Sequence, residues 1–455
     1  MRARDVAGTS EDQSSKAHRP GRQLGFFDAV CMMVGIVIGV GIYESPPRVA
    51  ANVSDPTALL MAWALGGVLA FIGALCYAEL ATAYPRSGGD YVYLSRAYGS
   101  WVGFLYGWAE LLVIRTGSIA AMSFVFSDYM TRIAPLGPRS SVVYAVCIVG
   151  LLSLVNVRGV REGKWTQNAL TVSKVLGISI IVLIGVFSTL TPGSSPSASS
   201  ISSGSFPLAM IFVLWTYGGW HENAYIAAEV KQPQRTIPRS LLFGTGFVTL
   251  MYLAINWAFL RGLGFQQVRA SQAVAADVLS LSFGSAGAHL MVILVAVSAL
   301  GAVNGQIFTG ARISYALGQD HWVLSRLGTW SERFGTPTWA LITQALITMT
   351  LIVTIGSRDG FEALVKYTAA VFWFFFLLTG ISLFILRWKD RERARPYLVI
   401  GYPLTPLVFC MSSAYMLYGS LSYAPQESLL GAAIVLVGLP LYWLSSAKNR
   451  ERRTA

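Results

Sequence analysis

Apolar positions in this chain come in long runs rather than in strand-like alternation. Runs near the ~20 residues that carry a helix across a bilayer recur at roughly 25–50, 57–84, 101–130, 141–156, 166–190, 207–230, 240–261, 284–316, 338–356, 363–387, 400–420 and 428–445. Short polar segments separate them, and no soluble domain interrupts them. The pattern predicts an all-α polytopic membrane protein of about twelve transmembrane helices. Two runs are broken from within. The stretch "GIVIGVGIYESPP" (35–47) sets Gly35, Gly39 and Gly41 ahead of Glu44, Pro46 and Pro47. The stretch "IFVLWTYGGWHENAYIAAEV" (211–230) sets Gly218 and Gly219 ahead of His221 and Glu222. Glycine and proline weaken helices and a carboxylate in hydrocarbon is costly, so both spans are expected to unwind at mid-membrane.

These are the first and sixth spans, the openings of two five-span halves. An odd number of spans per half turns the second half upside down relative to the first. Paired discontinuous helices at matching positions of inverted halves mark a secondary transporter with its binding site at the breaks. An unwound helix leaves amides and carbonyls without partners, and in lipid each must be satisfied by protein, water or ligand. The resumed helix after Gly41 offers N–H donors and positive dipole to a carboxylate, and carbonyls ending a half-helix suit an ammonium. Two such breaks side by side can hold the zwitterion of an α-amino acid.

Composition and charge sharpen this picture. The chain of 455 residues is 54% hydrophobic and 12% charged, against about 25% charged in soluble proteins. Its net charge of +12 is distributed by loop. One side takes the N-terminal tail, Arg86, Arg96, Arg158, Arg161, Lys164, Lys231, Arg235, Arg239, Arg312, Arg326, Arg333, "RWKDRERARP" and the closing "KNRERR". The other takes Arg48, Arg132, Arg139, Arg261, Arg269 and Arg358. The imbalance places both termini in the cytoplasm by the positive-inside rule, in a plasma (inner) membrane, and argues against nucleic-acid binding. Cys31, Cys76, Cys147 and Cys410 all fall in apolar runs and read as small hydrophobes, and the four histidines lack metal-ligand spacing. No cofactor is expected. Residues 1–23 read as a disordered cytoplasmic tail and 191–205 as a linker. The chain then divides into 24–191 (spans 1–5), 206–388 (spans 6–10), a basic loop 389–399, spans 11 and 12 over 400–446, and a tail 447–455.

Several stretches resemble the amino acid–polyamine–organocation permeases. They are "GIVIGVGIY", "LCYAELATAYPRSGGDYVYL" (75–94), "GWAELLVIR" (107–115), "YGGWHENAYIAAEVKQPQRTIPRS" (217–240), "GAVNGQIFTGAR" (301–312) and "LRWK" (386–389). The last four are similar to the L-type amino-acid transporter branch. The resemblance implies a LeuT-type fold, five plus five inverted spans and two more, working by alternating access. It implies that the substrate carboxylate lies on the backbone of Val37, Gly39, Val40 and Gly41, and the ammonium on carbonyls of Trp215, Thr216 and Gly218. Trp215 matches an aromatic gate; simple packing is the other reading. His221, with Ser118 and Met122 on span 3 and Phe372 and Trp373 on span 10, matches the side-chain pocket. Asn304 matches an asparagine near the site, or makes an interhelical hydrogen bond. Lys174, in "ALTVSKVLGISI", matches a lysine that occupies the place of a sodium ion, which implies sodium-independent transport.

The chain also departs from that pattern. Val40 stands where the family has Ser or Ala, His221 and Glu222 where L-type members have Asn and Tyr, and Glu44 where they have an apolar residue. Glu222 either pairs with Lys174, Arg115 or Lys366, or joins Lys174, His221 and Glu44 as a group coupling transport to protons. Glu79 and Glu110 read as structural hydrogen-bond partners. The loop "TRIAPLGPRSS" lacks the cysteine by which animal L-type transporters bind a heavy subunit, so the chain is expected to work alone. The sequence thus points to sodium-independent amino-acid transport, by neutral exchange or proton-coupled uptake, with a cationic amino-acid or polyamine permease as the alternative. The phosphate-loop and nucleophile-elbow motifs of enzymes are missing.

Overall fold

The computed structural model describes residues 21–187, 205–356 and 360–454, with side chains to residue 446. The first 20 residues, nearly all of the 191–205 linker, and Arg358 lie outside the described residues. The first span is two helices, α1 (Phe26–Val37) and α2 (Gly41–Ala51), bent by 46°. The second is α3 (Pro56–Ala83), opened by Asp55, whose carboxylate accepts the Thr57 and Ala58 amides at 2.9 and 3.0 Å, and by Pro56 at the first helical position. A short α4 (Asp90–Tyr98) follows. The third span joins α5 (Ser100–Ala109) and α6 (Arg115–Ile133) through a π-helical turn at Glu110–Ile114. Then come α7 (Ser140–Arg158) and α8 (Val160–Phe187).

The sixth span differs from an ordinary helix more than the sequence leads one to expect. Its α-helix, α9 (Phe206–Thr216), is only 11 residues long. Gly219 adopts φ +104°, a left-handed conformation that costs glycine little. A 3-10 turn at Trp220–Ala224 follows, and irregular chain continues to residue 232. Next come α10 (Pro233–Leu263), the short helices α11 (Phe265–Ala270) and α12 (Val274–Phe283), α13 (Ala286–Asp320) and α14 (Thr338–Ile355). The last three are α15 (Gly360–Lys389), α16 (Leu404–Tyr423) and α17 (Pro425–Thr454). Helix α17 runs on through the expected tail at 447–454. Among the described residues ten helices are long and apolar enough to cross a membrane, and the bent α1–α2 pair makes eleven; the sixth run falls short as a helix because of its glycines.

Spans 1 and 6 lie side by side in opposite directions. The Leu24 amide donates to the Glu229 carbonyl, and the Lys231 amide to the Leu24 carbonyl, at 3.0 and 2.8 Å. Ile36 touches Gly219, Gly41 touches Trp215 and Thr216, and the Thr216 hydroxyl donates to Ser45 Oγ at 2.8 Å. Asn52 Oδ1 accepts the Ser205 amide at 3.3 Å. As the number rises along span 1 it falls along span 6, which brings the two breaks to one level. Arg312, counted above among the basic loop residues, is buried in α13 and clamps Glu229 with two bonds of 2.7 and 2.9 Å. Cys147 is exposed on α7, unlike the other three cysteines.

Candidate substrate site at the two helix breaks

The first half-helix stops where Ile38 leaves helical geometry, at ψ 74°. The second starts at Gly41; the Tyr43 amide of its first turn donates to the Val40 carbonyl at 3.0 Å, which leaves the Gly41 and Ile42 amides as the first-turn donors without a helical acceptor. Across from them α9 ends at Thr216. A cavity of about 170 Å³ lies between the breaks, below the ~300–1,000 Å³ of drug-sized sites and suited to a small metabolite. Val37, Gly39, Val40 and Gly41 line it from span 1, and Trp215, Thr216 and Gly218 from span 6. His221 and Glu222 enter from the turn beyond Gly219, Ser118 and Met122 from α6, and Phe372 and Trp373 from α15. A side void of about 30 Å³, room for about one water, shares His221, Phe372 and Trp373 with the cavity. The Trp215 ring also stands edge-on to Phe361 at 5.8 Å, so it faces the cavity and packs at once.

Three expected site residues stand outside the lining. Lys174 is buried behind the first break, with its ammonium donating to the carbonyls of Gly35 and Ile38 at 2.5 and 2.9 Å. Asn304 ties α13 to α7 and α8: it donates to Gln167 Oε1 at 2.9 Å and to the Gly163 carbonyl at 3.2 Å, and accepts from Asn156 at 2.9 Å. Glu44 sits partly exposed on α2, a turn past the break. A further bridge escaped the sequence reading. The Tyr252 hydroxyl, on α10, lies 2.8 Å from the Val37 carbonyl and 3.2 Å from that of Thr216. One phenol thus connects the two breaks and occupies part of the Thr216 carbonyl.

The cavity wall also holds groups to which the sequence assigned only structural pairing. Glu110, expected as a purely structural partner, and Arg115 both line it. The π-helical turn between them adds a residue to the turn and re-aims their side chains, a feature common at functional sites. Arg115 donates to Glu222 Oε1 at 2.8 Å and to Glu110 Oε2 at 3.1 Å, and Thr309 donates to Glu222 Oε2. Glu222 therefore pairs with Arg115, one of the three partners weighed from sequence. All three charged residues are at most 4% exposed. Two carboxylates against one guanidinium leave the lining at −1 when all are ionised. Gln306 Oε1 lines the same wall without a protein partner among the described residues, as does His221 Nδ1. Among the described residues no group of three His, Cys, Asp or Glu side chains is arranged to hold a metal ion.

A family model described as amino acid permease matches residues 24–440. The chain belongs to this family. It is a polytopic amino-acid transporter and not an enzyme. The b(0,+)-type amino acid transporter 1 of Rattus norvegicus is 32% identical over 439 residues, 93% of this permease and 88% of the relative. The serine/threonine exchanger SteT of Bacillus subtilis (strain 168) is 28% identical over 425 residues, 93% and 96% of the two chains. The large neutral amino acids transporter small subunit 2 of Rattus norvegicus is 31% identical over 438 residues, 93% and 80% of the two chains.

Proposed function

We propose that this permease exchanges neutral L-amino acids across the plasma membrane by alternating access, without sodium, as a single chain with both termini cytoplasmic. The observation that carries the reading is the cavity at two antiparallel helix breaks, with the first-turn amides of α2 on one side and the end of α9 on the other. The amides suit a carboxylate and the carbonyl end suits an ammonium. The Lys174 ammonium already fills the carbonyls of Gly35 and Ile38 that a small cation would otherwise occupy, which supports sodium independence. The relatives named for serine/threonine exchange and for large neutral amino acids support neutral exchange.

A second reading, cationic amino acids, is favoured by the −1 charge of the lining from Glu110, Glu222 and Arg115. Sodium-free uptake of labelled leucine into proteoliposomes separates the two. Uptake only into vesicles preloaded with unlabelled amino acid, blocked by neutral competitors, is the expected result. Entry of lysine while leucine stays out would replace the neutral reading with the cationic one.

A further inference from the structure

Behind the cavity wall the buried carboxylates continue away from the substrate. Asp90, at the start of α4, is 2% exposed and outside the cavity lining. Its Oδ2 accepts the hydroxyls of Tyr77 at 2.9 Å and Tyr225 at 3.1 Å, with Tyr106 at 3.4 Å, while its Oδ1 has no partner among the described residues. Tyr106 also lies 3.1 Å from Glu110 Oε1 and 3.0 Å from the Tyr225 hydroxyl. A continuous chain thus runs from Glu110 in the cavity wall through Tyr106 and Tyr225 to Asp90, each link between 3.0 and 3.1 Å.

The groups facing this chain define its charge. Asp90 accepts from Tyr77 of α3, Tyr106 of α5 and Tyr225 of the segment after the second break, and the His221 ring stands 5.7 Å from that of Tyr77 and 5.5 Å from that of Tyr225. Glu110 meets Tyr106 and Arg115, and Glu222 meets Arg115 and Thr309. Among the described residues, Arg115 is the only cation bonded to any of the three carboxylates. Fully ionised, Asp90, Glu110, Glu222 and Arg115 would sum to −2 inside the protein, where an uncompensated buried charge is costly. Such coupled groups share protons.

We infer that Asp90 and Glu110 form a proton-binding site, with Tyr106 and Tyr225 relaying the proton between the cavity wall and Asp90. In the relay step Glu110 Oε1–H gives its proton to the Tyr106 oxygen, Tyr106 gives its own to Tyr225, and Tyr225 gives its own to Asp90 Oδ2. Both tyrosines end neutral, Glu110 ends as carboxylate and Asp90 ends as the acid. The proton thereby leaves the wall while a substrate occupies the cavity, so proton and amino acid can move together. The inference rests on the transporter reading for its flux assay, though not for its spectroscopic one.

The test uses the full chain in proteoliposomes containing a trapped pH-sensitive dye. With acid outside, no sodium and unlabelled amino acid inside, the wild type should take up labelled leucine or lysine several-fold faster than at equal pH, and the vesicle interior should acidify with uptake. Asp90→Asn and Tyr106→Phe should lose the acceleration and the acidification while still exchanging amino acid between loaded vesicles. Infrared difference spectra at neutral pH should show the carbonyl stretch of a protonated carboxylic acid in the wild type that Asp90→Asn or Glu110→Gln removes. Wild-type uptake without acidification, or acceleration by sodium instead, overturns the proposal. So does proportional loss of exchange and proton flux in Tyr106→Phe, which marks a structural role. If Asp90→Asn does not fold, Tyr106→Phe decides alone. If the wild type moves neither amino acid, the proposed substrate class fails, and the infrared signal by itself supports or overturns the proton site.

Discussion

The Lys174 ammonium lies 2.5 Å from the Gly35 carbonyl oxygen, one turn before the first helix break. Helix α8 thereby holds the end of α1 open, because the carbonyls that α1 leaves unbonded have found a fixed cation. Lys174→Ala strands the Gly35 carbonyl and weakens the support of Ile38, at about 1–3 kcal/mol for an unpaired buried acceptor. The variant should still insert and be recovered from membranes, with transport reduced at least several-fold and a new dependence on sodium, since a small cation can refill the carbonyls. Uptake assays with and without sodium across pH check this; unchanged sodium and pH dependence would remove Lys174 from coupling. Gly301→Ala should reproduce part of the effect, because its Cβ would lie 2.6 Å from Lys174 Cε.

Gly41→Leu should abolish substrate binding. A Cβ there would stand 2.9 Å from the Trp215 ring and 3.1 Å from Thr216 Cγ2, and the rest of the leucine would enter the cavity. The affinity of purified protein for leucine, read by calorimetry, should fall more than tenfold, about 1.4 kcal/mol. Gly246→Ala, where a Cβ meets nothing within 4 Å, should bind as the wild type does.

Tyr252→Phe removes the hydroxyl that bridges the Val37 and Thr216 carbonyls. The loss is about 1 kcal/mol per bond, so Tm in detergent should drop by a few degrees. The breaks would also lose their shared anchor, and the dissociation constant for substrate should rise with it. A lower Tm at unchanged affinity would confine Tyr252 to stability.

Glu222→Gln lowers the negative charge of the lining while Arg115 keeps Glu110. Competition by lysine against labelled leucine should weaken more than competition by serine. Equal weakening would separate Glu222 from side-chain reading. Arg115→Met should be far more harmful, with the protein failing to accumulate, because it leaves two buried carboxylates without their cation, at about 3–5 kcal/mol.

Asp390, just past α15, offers a pH test. The Tyr84 hydroxyl donates to it at 2.8 Å and Arg96 lies 3.3 Å away, holding its carboxyl below the usual aspartate range. A lowered folded value stabilises the protein above the ordinary value near 3.8 and is lost as pH falls through the folded value. Asp390→Asn should therefore unfold at lower temperature than wild type near neutral pH, and the gap should close in acid. A gap independent of pH would exclude the ionised carboxylate as its cause.

Much of the site was legible in the chain because backbone chemistry is local. Gly39, Gly41, Gly218 and Gly219 announce where helices in lipid must open, and Lys174 in an apolar run announces a partner nearby. Glu110 and Arg115 were harder to place. No local signal marks the π-helical turn that points both toward the cavity, and their alliance with Glu222 joins residues 107 positions apart. Asn304 went the other way: its type suits a site, but the approach of α7 and α8 turned it into a bridge between helices.

What the sequence by itself determined is the membrane-spanning class and the positions of both breaks, and it already carried the marks of the family. These follow from run length and glycine placement, properties of neighbours along the chain. What only the tertiary structure decided is which groups meet across the breaks: Tyr252 on two carbonyls, Arg115 between two carboxylates, and Asp90 behind a tyrosine chain. Those contacts depend on how antiparallel spans slide to a common level, and buried polar groups take whichever partner packing brings within about 3 Å.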